Sequence, residues 1–237
     1  MTFLELVQRL QLEAAVSGTI TTLAGATGET LRLKTWTLQG YQDLQNARFN
    51  WDFLRSSQLE GGGVSFATVA GQAIYPLGTG VGTVGVAANG FGSWVKRSFR
   101  DQTTTVGVND QIFLAWISFE AWRNAYSYGA QQTVETRPVA IAVSPENAIC
   151  VGPWPTSAYT LTGDYYLAPM TLTDNDDEPT NIPEQFQIAI VWKALWYYGM
   201  YESAPEVVAR AKESYRTTTR QLGNLRIPMV SAGRALA

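Results

Sequence analysis

The 237-residue sequence has no histidine and one cysteine, Cys150. Without imidazole the commonest general base and the commonest metal ligand are missing. Ser-His-Asp and Cys-His catalysis and His-based zinc sites are therefore excluded. One thiol forms neither an internal disulfide nor a cysteine cluster. Within the apolar run "NAICVG", Cys150 reads as a small buried hydrophobe, which fits a reducing compartment. Charge is scarce too: charged residues make up 16% and the net charge is −3, so no global basic signature points to nucleic acid. The longest apolar run, Ile188 to Tyr201, is too short to span a bilayer and carries Lys193. The basic start and small-residue cleavage site of a signal peptide are lacking, so no secretory leader is expected.

Apolar and aromatic residues are abundant. Hydrophobic residues reach 46% and there are eight tryptophans, enough for a large core and for aromatic interfaces. Phe3, Leu6, Leu10 and Ala14 make one helical stripe, opened by a Thr2–Glu5 capping box, with Gly18 as its expected stop. Thr27 caps an expected second helix from Glu29 to Arg48, with Leu33, Trp36, Gly40, Leu44 and Ala47 on its stripe. Gly40, costly inside a helix, marks a close helix crossing there. From Ser57 to Ala168 the chain turns rich in Gly, Thr, Val and aromatics and reads as strands. "SPEN" forms a hairpin turn, and one short helix falls in "QIFLAWISFEAWRNAY". Pro183 suits a first helical position ahead of a helix apolar nearly all round, which must be buried on several sides. "SAPE" reads as a capping box, with Ser203 as cap and Glu206 three residues on, for a last helix ended by Gly223.

The expectation is an α+β fold. A discontinuous helical bundle comprises residues 1–56 and 182–224, and an inserted antiparallel β-rich lobe spans 57–170. An acidic hinge covers 171–181 and a C-terminal tail 225–237.

Four features invite a functional reading. "DNDDEPTNIPEQF" starts at Asp174 and resembles a calcium loop, but Pro179 and Gln185 occupy the positions that need Gly and Glu. A stiff, polar joint beside a helix N-terminus is the better reading. "GVGTVG", Gly80 to Gly85, matches a dinucleotide fingerprint, yet "VAANGFG" after it cannot open a helix, which leaves a mobile glycine-rich loop. After Glu213 there are arginines at 216, 220, 226 and 234 and no acids. They could touch phosphates, solvate a helix face, or pair with an acidic surface on another subunit. Asp101, Asp110, Glu120, Glu135, Glu146 and Asp164 could in principle supply a glycosidase pair, but no spacing selects one. No catalytic residue, cofactor or metal is expected.

"MTFLELVQRL", "TLQGYQDLQNARFNWDFLRSS" and "YYLAPMTLTDNDDEPTNIPEQFQIAIVWKALWYYGMYESAPEVVARAKESY" together resemble the head-to-tail adaptor proteins of tailed bacteriophages, in particular the podophage tail tubular protein A group. The likeness rests on the opening helix, the Arg48, Trp51, Phe53, Leu54 element, and the acidic "I-P-E" segment leading into an apolar helix. It implies a virion protein of the neck, made in the host cytoplasm. Such a protein forms a homo-oligomeric ring, expected as a dodecamer, beneath the portal protein. The ring extends the channel for double-stranded DNA and docks tail or nozzle proteins; no membrane is involved. The expected portal-docking tail comprises Arg226, Ile227, Pro228, Met229, Val230, Arg234 and Leu236. The expected subunit interface comprises Arg216, Arg220, Asp174, Asp176, Asp177, Glu178, Trp192 and Trp196. Two alternatives remain open: another neck or tail-completion protein, and a carbohydrate-binding module of a tail fibre or depolymerase.

Overall fold

The computed structural model describes residues 1–48 and 51–226. Its helices are α1 (Phe3–Glu13), α2 (Gly28–Asn46), α3 (Phe119–Tyr126), α4 (Ile188–Tyr201) and α5 (Pro205–Arg226). The chain divides into two compact units, one built from Met1–Leu54 and the residues from Pro169 onward, the other from Arg55–Ala168. The fold is α+β.

In the helical unit α4 is the hub and packs against α1, α2 and α5. This accounts for its apolar circumference: Ala189, Ile190, Val191, Ala194, Leu195 and Gly199 are buried by the chain's own helices. Two glycines set the distances. A Cβ on Gly40 of α2 would lie 2.8 Å from the Ile190 carbonyl oxygen and 3.2 Å from the Ala194 nitrogen. On Gly199 it would lie 2.9 Å from Val208 Cγ2 of α5. Close backbone approach is what the missing side chain permits.

The helix ends depart from the sequence reading. Thr2 and Glu5 form the capping box, with Glu5 N–H to Thr2 Oγ1 at 3.2 Å and Thr2 N–H to Glu5 Oε2 at 2.8 Å. Gly18, however, does not stop α1. The helix closes earlier on Ala15, held at φ +54°, with the Val16 N–H donating to Gln11 O at 3.1 Å and the Ala15 N–H to Leu12 O at 3.2 Å. These bonds satisfy the last carbonyls without a glycine. Ser203 is likewise not the cap of α5. It sits at φ +54° just past α4, where the Ala204 N–H reaches back to Gly199 O at 2.9 Å, and Pro205 then opens α5. Gly223 does not end α5 either, which runs through Arg226. Pro183 precedes a 3-10 turn, Glu184–Phe186, and α4 itself starts at Ile188.

The second unit is a set of small sheets. In one, Val64–Ala67, Tyr159–Gly163, Arg100–Thr103 and Ile112–Phe113 pair antiparallel in that order. In another, Ile74–Tyr75, Ile149–Gly152 and Ala140–Val143 pair antiparallel, and Ala115–Trp116 joins the last of these in parallel. A second parallel pair joins Glu135–Thr136 to Trp154–Pro155. A third sheet orders Arg55–Ser56, Tyr165–Leu167 and Phe91–Trp94. Val64, Phe66, Tyr75, Val84, Phe99, Ile141, Ile149 and Leu161 build their common core. The "SPEN" turn joins Ala140–Val143 to Ile149–Gly152, closed by the Ser144 N–H to Ala148 O at 2.9 Å.

The helix expected from Ile112 is confined to Phe119–Tyr126. Ser118 caps it, its Oγ accepting the Ala121 N–H at 3.2 Å. Upstream, the Leu114, Ala115 and Ile117 amides donate instead to Phe99, Val139 and Ile141 carbonyls, so sheet pairing takes the residues whose spacing looked helical.

Candidate assembly surfaces

The acidic segment 174–178 lies on the helical unit, and its nearest helix end is that of α1. The free N–H groups of Phe3 and Leu4 donate to the carbonyls of Asp177 and Asn175 at 2.7 and 3.1 Å. The Asn175 side chain accepts the Leu23 N–H at 2.8 Å and donates to Thr22 Oγ1 at 3.0 Å. Loop carbonyls thus satisfy two of the donors that a helix leaves unpaired at its start. The helix whose start the segment caps is therefore α1, not the α4 expected from adjacency in sequence. Asp177 turns inward on its own loop: its Oδ2 accepts from the Asp174 N–H at 2.9 Å, the Thr173 N–H at 2.6 Å and the Thr173 hydroxyl at 3.0 Å. The Asp174 amide, then the Thr173 amide and hydroxyl, hold its carboxyl below the usual carboxylate range. Asp174, Asp176 and Glu178 are exposed, and among the described residues none of them makes an ion pair. No group of three or more His, Cys, Asp or Glu able to hold a metal occurs among the described residues.

Arg216 and Arg220 project from one face of α5 into an open cavity of about 360 Å³, whose wall also includes Arg48, Glu213, Tyr215, Thr217 and Thr219. Arg48 was not among the expected interface residues. It follows α2, and its guanidinium lies 5.5 Å from the buried Trp51 ring and within ordinary contact of Gly223, whose absent Cβ would stand 3.4 Å from Arg48 Cζ. Gly223 thus lies inside α5 rather than at its end. The rest of the Arg48 element is structural. Trp51 is fully buried, donates from Nε1 to Leu44 O at 3.1 Å, and stacks on Phe53 at 5.2 Å.

Trp192 and Trp196 are half-buried on α4, and cations lie over their rings. Arg210 stands 6.0 Å from Trp192, while Lys193 and Lys212 stand 4.2 and 5.7 Å from Trp196. Lys193 also pairs with Asp43 at 3.4 Å, and the Tyr197 hydroxyl donates to the same carboxylate, tying α4 to α2. Arg226 ends α5. Ile227, Pro228, Met229, Val230, Arg234 and Leu236 of the expected docking tail lie outside the described residues.

In the β unit, Asp101 and Asp110 do come together, but on Arg137. Its Nε binds Asp101 Oδ2 at 2.7 Å, and its Nη1 binds Asp110 Oδ1 at 2.8 Å. Asp101 is fully buried, and its Oδ1 has no hydrogen-bond partner. Burial pushes its carboxyl up against the opposing pull of Arg137. For Asp110, the Thr103 hydroxyl and then Arg137 pull the carboxyl down. An arginine wedged between two acids cross-links segments. Asp164 is held by Arg55 at 2.5 Å and by the Gln58 N–H at 2.9 Å. The Gly80–Gly85 loop is anchored by buried Val84 and Val86 and by Gln72 Nε2 on Gly82 O at 2.8 Å. The strand Phe91–Trp94 follows it, where a dinucleotide fold needs a helix. Cys150 is buried, and burial raises its thiol to about 11.

The helical unit carries charged surfaces, and in the sheet unit Asp101, Asp110 and Asp164 are held by arginines. No described helix is long and apolar enough to cross a membrane. The family model described as SU10 adaptor protein matches residues 1–235, and the chain belongs to that family. It is accordingly a phage head-to-tail adaptor, a structural component of the virion neck. No curated protein matches the chain.

Proposed function

We propose that this adaptor forms a homo-oligomeric ring, a dodecamer, that stacks beneath the portal, continues the DNA channel and offers its far side to the tail or nozzle proteins. The observation that carries this reading is the pairing, on the helical unit of an adaptor-family chain, of a pinned acidic segment with a separate arginine-lined cavity. Two different faces of opposite charge suit a heterologous contact, the kind that closes into rings. In this reading Arg216, Arg220, Asp174, Asp176, Glu178, Trp192 and Trp196 serve the subunit contact, and Asp177 serves it indirectly by shaping the loop. The segment from Arg226 through Leu236 docks on the portal. The small net charge of −3 suits a channel wall over which DNA slides rather than binds.

The test is native mass spectrometry with negative-stain imaging of the protein alone and mixed with the portal ring of its phage. Rings stacked on the portal are expected. A chain that stays monomeric in both conditions overturns the ring. Association with a tail protein alone would move it to the tail side of the neck, and retention on a glycan array would favour a sugar-binding module.

A further inference from the structure

We propose that the Arg48–Arg216–Arg220 cavity is a carboxylate receptor, and that it takes the exposed acids of the 174–178 segment of a second copy of this chain. The inference rests on the ring reading above and gives that contact its chemistry.

The cavity is built rather than incidental. Its three arginines come from two places in the chain, the end of the α2 segment and the face of α5. The Arg48 guanidinium lies 5.5 Å from the Trp51 ring and beside the bare backbone at Gly223, at the edge of the hollow. Arg216 and Arg220 are one helical turn apart, where like charges destabilise a helix. Among the described residues none of the three arginines makes an ion pair, and Glu213 is the one acid in the wall. Three converging cations beside one anion leave a net positive hollow, which an incoming anion relieves. Guanidinium forks match planar oxyanions two bonds at a time.

Among oxyanions, carboxylates on a loop tip fit best. The hollow is concave and carries an acid in its wall, which disfavours the continuous phosphate backbone of a duplex. The same chain presents a matching group. Asp174, Asp176 and Glu178 stand exposed on a loop that Asp177 and Asn175 hold in one shape, so little ordering is left to do on docking. No described ion pair joins the acids to the arginines within one chain, which leaves both free to meet across copies. Each copy offers one receptor and one loop, so the contact propagates head to tail.

Two full-length variants test this. One reverses the cavity (Arg48→Glu, Arg216→Glu, Arg220→Glu), and the other reverses the loop (Asp174→Lys, Asp176→Lys, Glu178→Lys). All six positions are exposed, and circular dichroism checks folding. Each variant alone is expected to lose rings that the wild-type chain forms, with association weakened on the order of tenfold or more per reversed charge. An equal mixture of the two is expected to regain them, because each loop then meets a cavity of opposite sign. Rings that persist in both separate variants overturn the inference while the ring reading stands. A wild-type chain that never assembles overturns the ring reading itself. Loss of rings without rescue on mixing overturns the pairing, and if the cavity variant has also lost retention of a short DNA duplex, phosphate is the ligand.

Discussion

The closest backbone approach in the helical unit predicts that Gly40→Ala destabilises the protein although alanine is the better helix former. The magnitude follows from two opposed effects. In an exposed helix the change gains about 1 kcal/mol. At Gly40 the new methyl would sit 2.8 Å from the Ile190 carbonyl oxygen and 3.2 Å from the Ala194 nitrogen, both main-chain atoms of the hub helix. Neither can rotate away, so α2 and α4 must separate, and overpacking of this kind costs about 1–3 kcal/mol. The net expectation is a loss of about 1 kcal/mol, read from urea unfolding followed at 222 nm. Gly223→Ala is the control. Its nearest neighbour is the Arg48 guanidinium at 3.4 Å, the far end of a flexible side chain. It should keep most of the gain in helix propensity, about 0.5–1 kcal/mol. A Gly40→Ala protein that shows the full gain of an exposed helix position, about 1 kcal/mol, would refute the close crossing of α2 and α4.

Three other expectations can be checked on the same material. Ala15→Gly and Ser203→Gly each relieve a non-glycine residue at φ +54°; each should stabilise by about 0.5–1 kcal/mol in urea. Arg137→Met strands the fully buried Asp101 without its counter-ion, and a loss of about 3–5 kcal/mol from the β unit is expected, visible as early loss of its near-UV signal. In alkali, burial raises Tyr41 and Tyr75 to about 12. A folded value above the unfolded one contributes stability that is complete below about pH 10 and is lost as pH climbs toward 12. Ultraviolet titration should therefore show these two phenols, together with Tyr197, which is also raised to about 12, ionising late and with unfolding, and Cys150 should react with a disulfide reagent only once the fold opens.

Features governed by neighbours in sequence were legible in advance. The Thr2–Glu5 box, the "SPEN" turn, the burial of Cys150 and the close packing at Gly40 all follow from local spacing or residue type. Features settled by distant partners were not. Gly18 and Gly223 look like helix stops because glycine usually serves there, yet Ala15 closes α1 by hydrogen bonds and α5 runs on past Gly223 to Arg226. "SAPE" has the letters of a capping box, but Ser203 is used in closing α4. The residues from Ile112 to Trp116 carry a helical spacing that sheet partners override. The acidic segment was read against the helix that follows it, while its carbonyls serve the helix that opens the chain. Arg48 escaped notice as a site residue for the same reason: nothing beside it in sequence announces Arg216 and Arg220.

The position of the hub helix has a consequence for synthesis. α1 and α2 touch each other, but the hub helix that both pack against arrives only when the ribosome has passed residue 188, after the whole β unit of Arg55–Ala168 has been made. Until then Phe3, Leu6, Leu10, Leu33 and Leu44, all buried in the finished protein, have no α4 to cover them. Closing so long a loop adds little entropic cost, since that cost grows only logarithmically with length, but it imposes an order. The β unit can mature first, the bundle snaps together late, and the arginine hollow exists only once α5 has joined α2. In the growing chain the 174–178 segment is therefore made before the α5 arginines that complete the hollow.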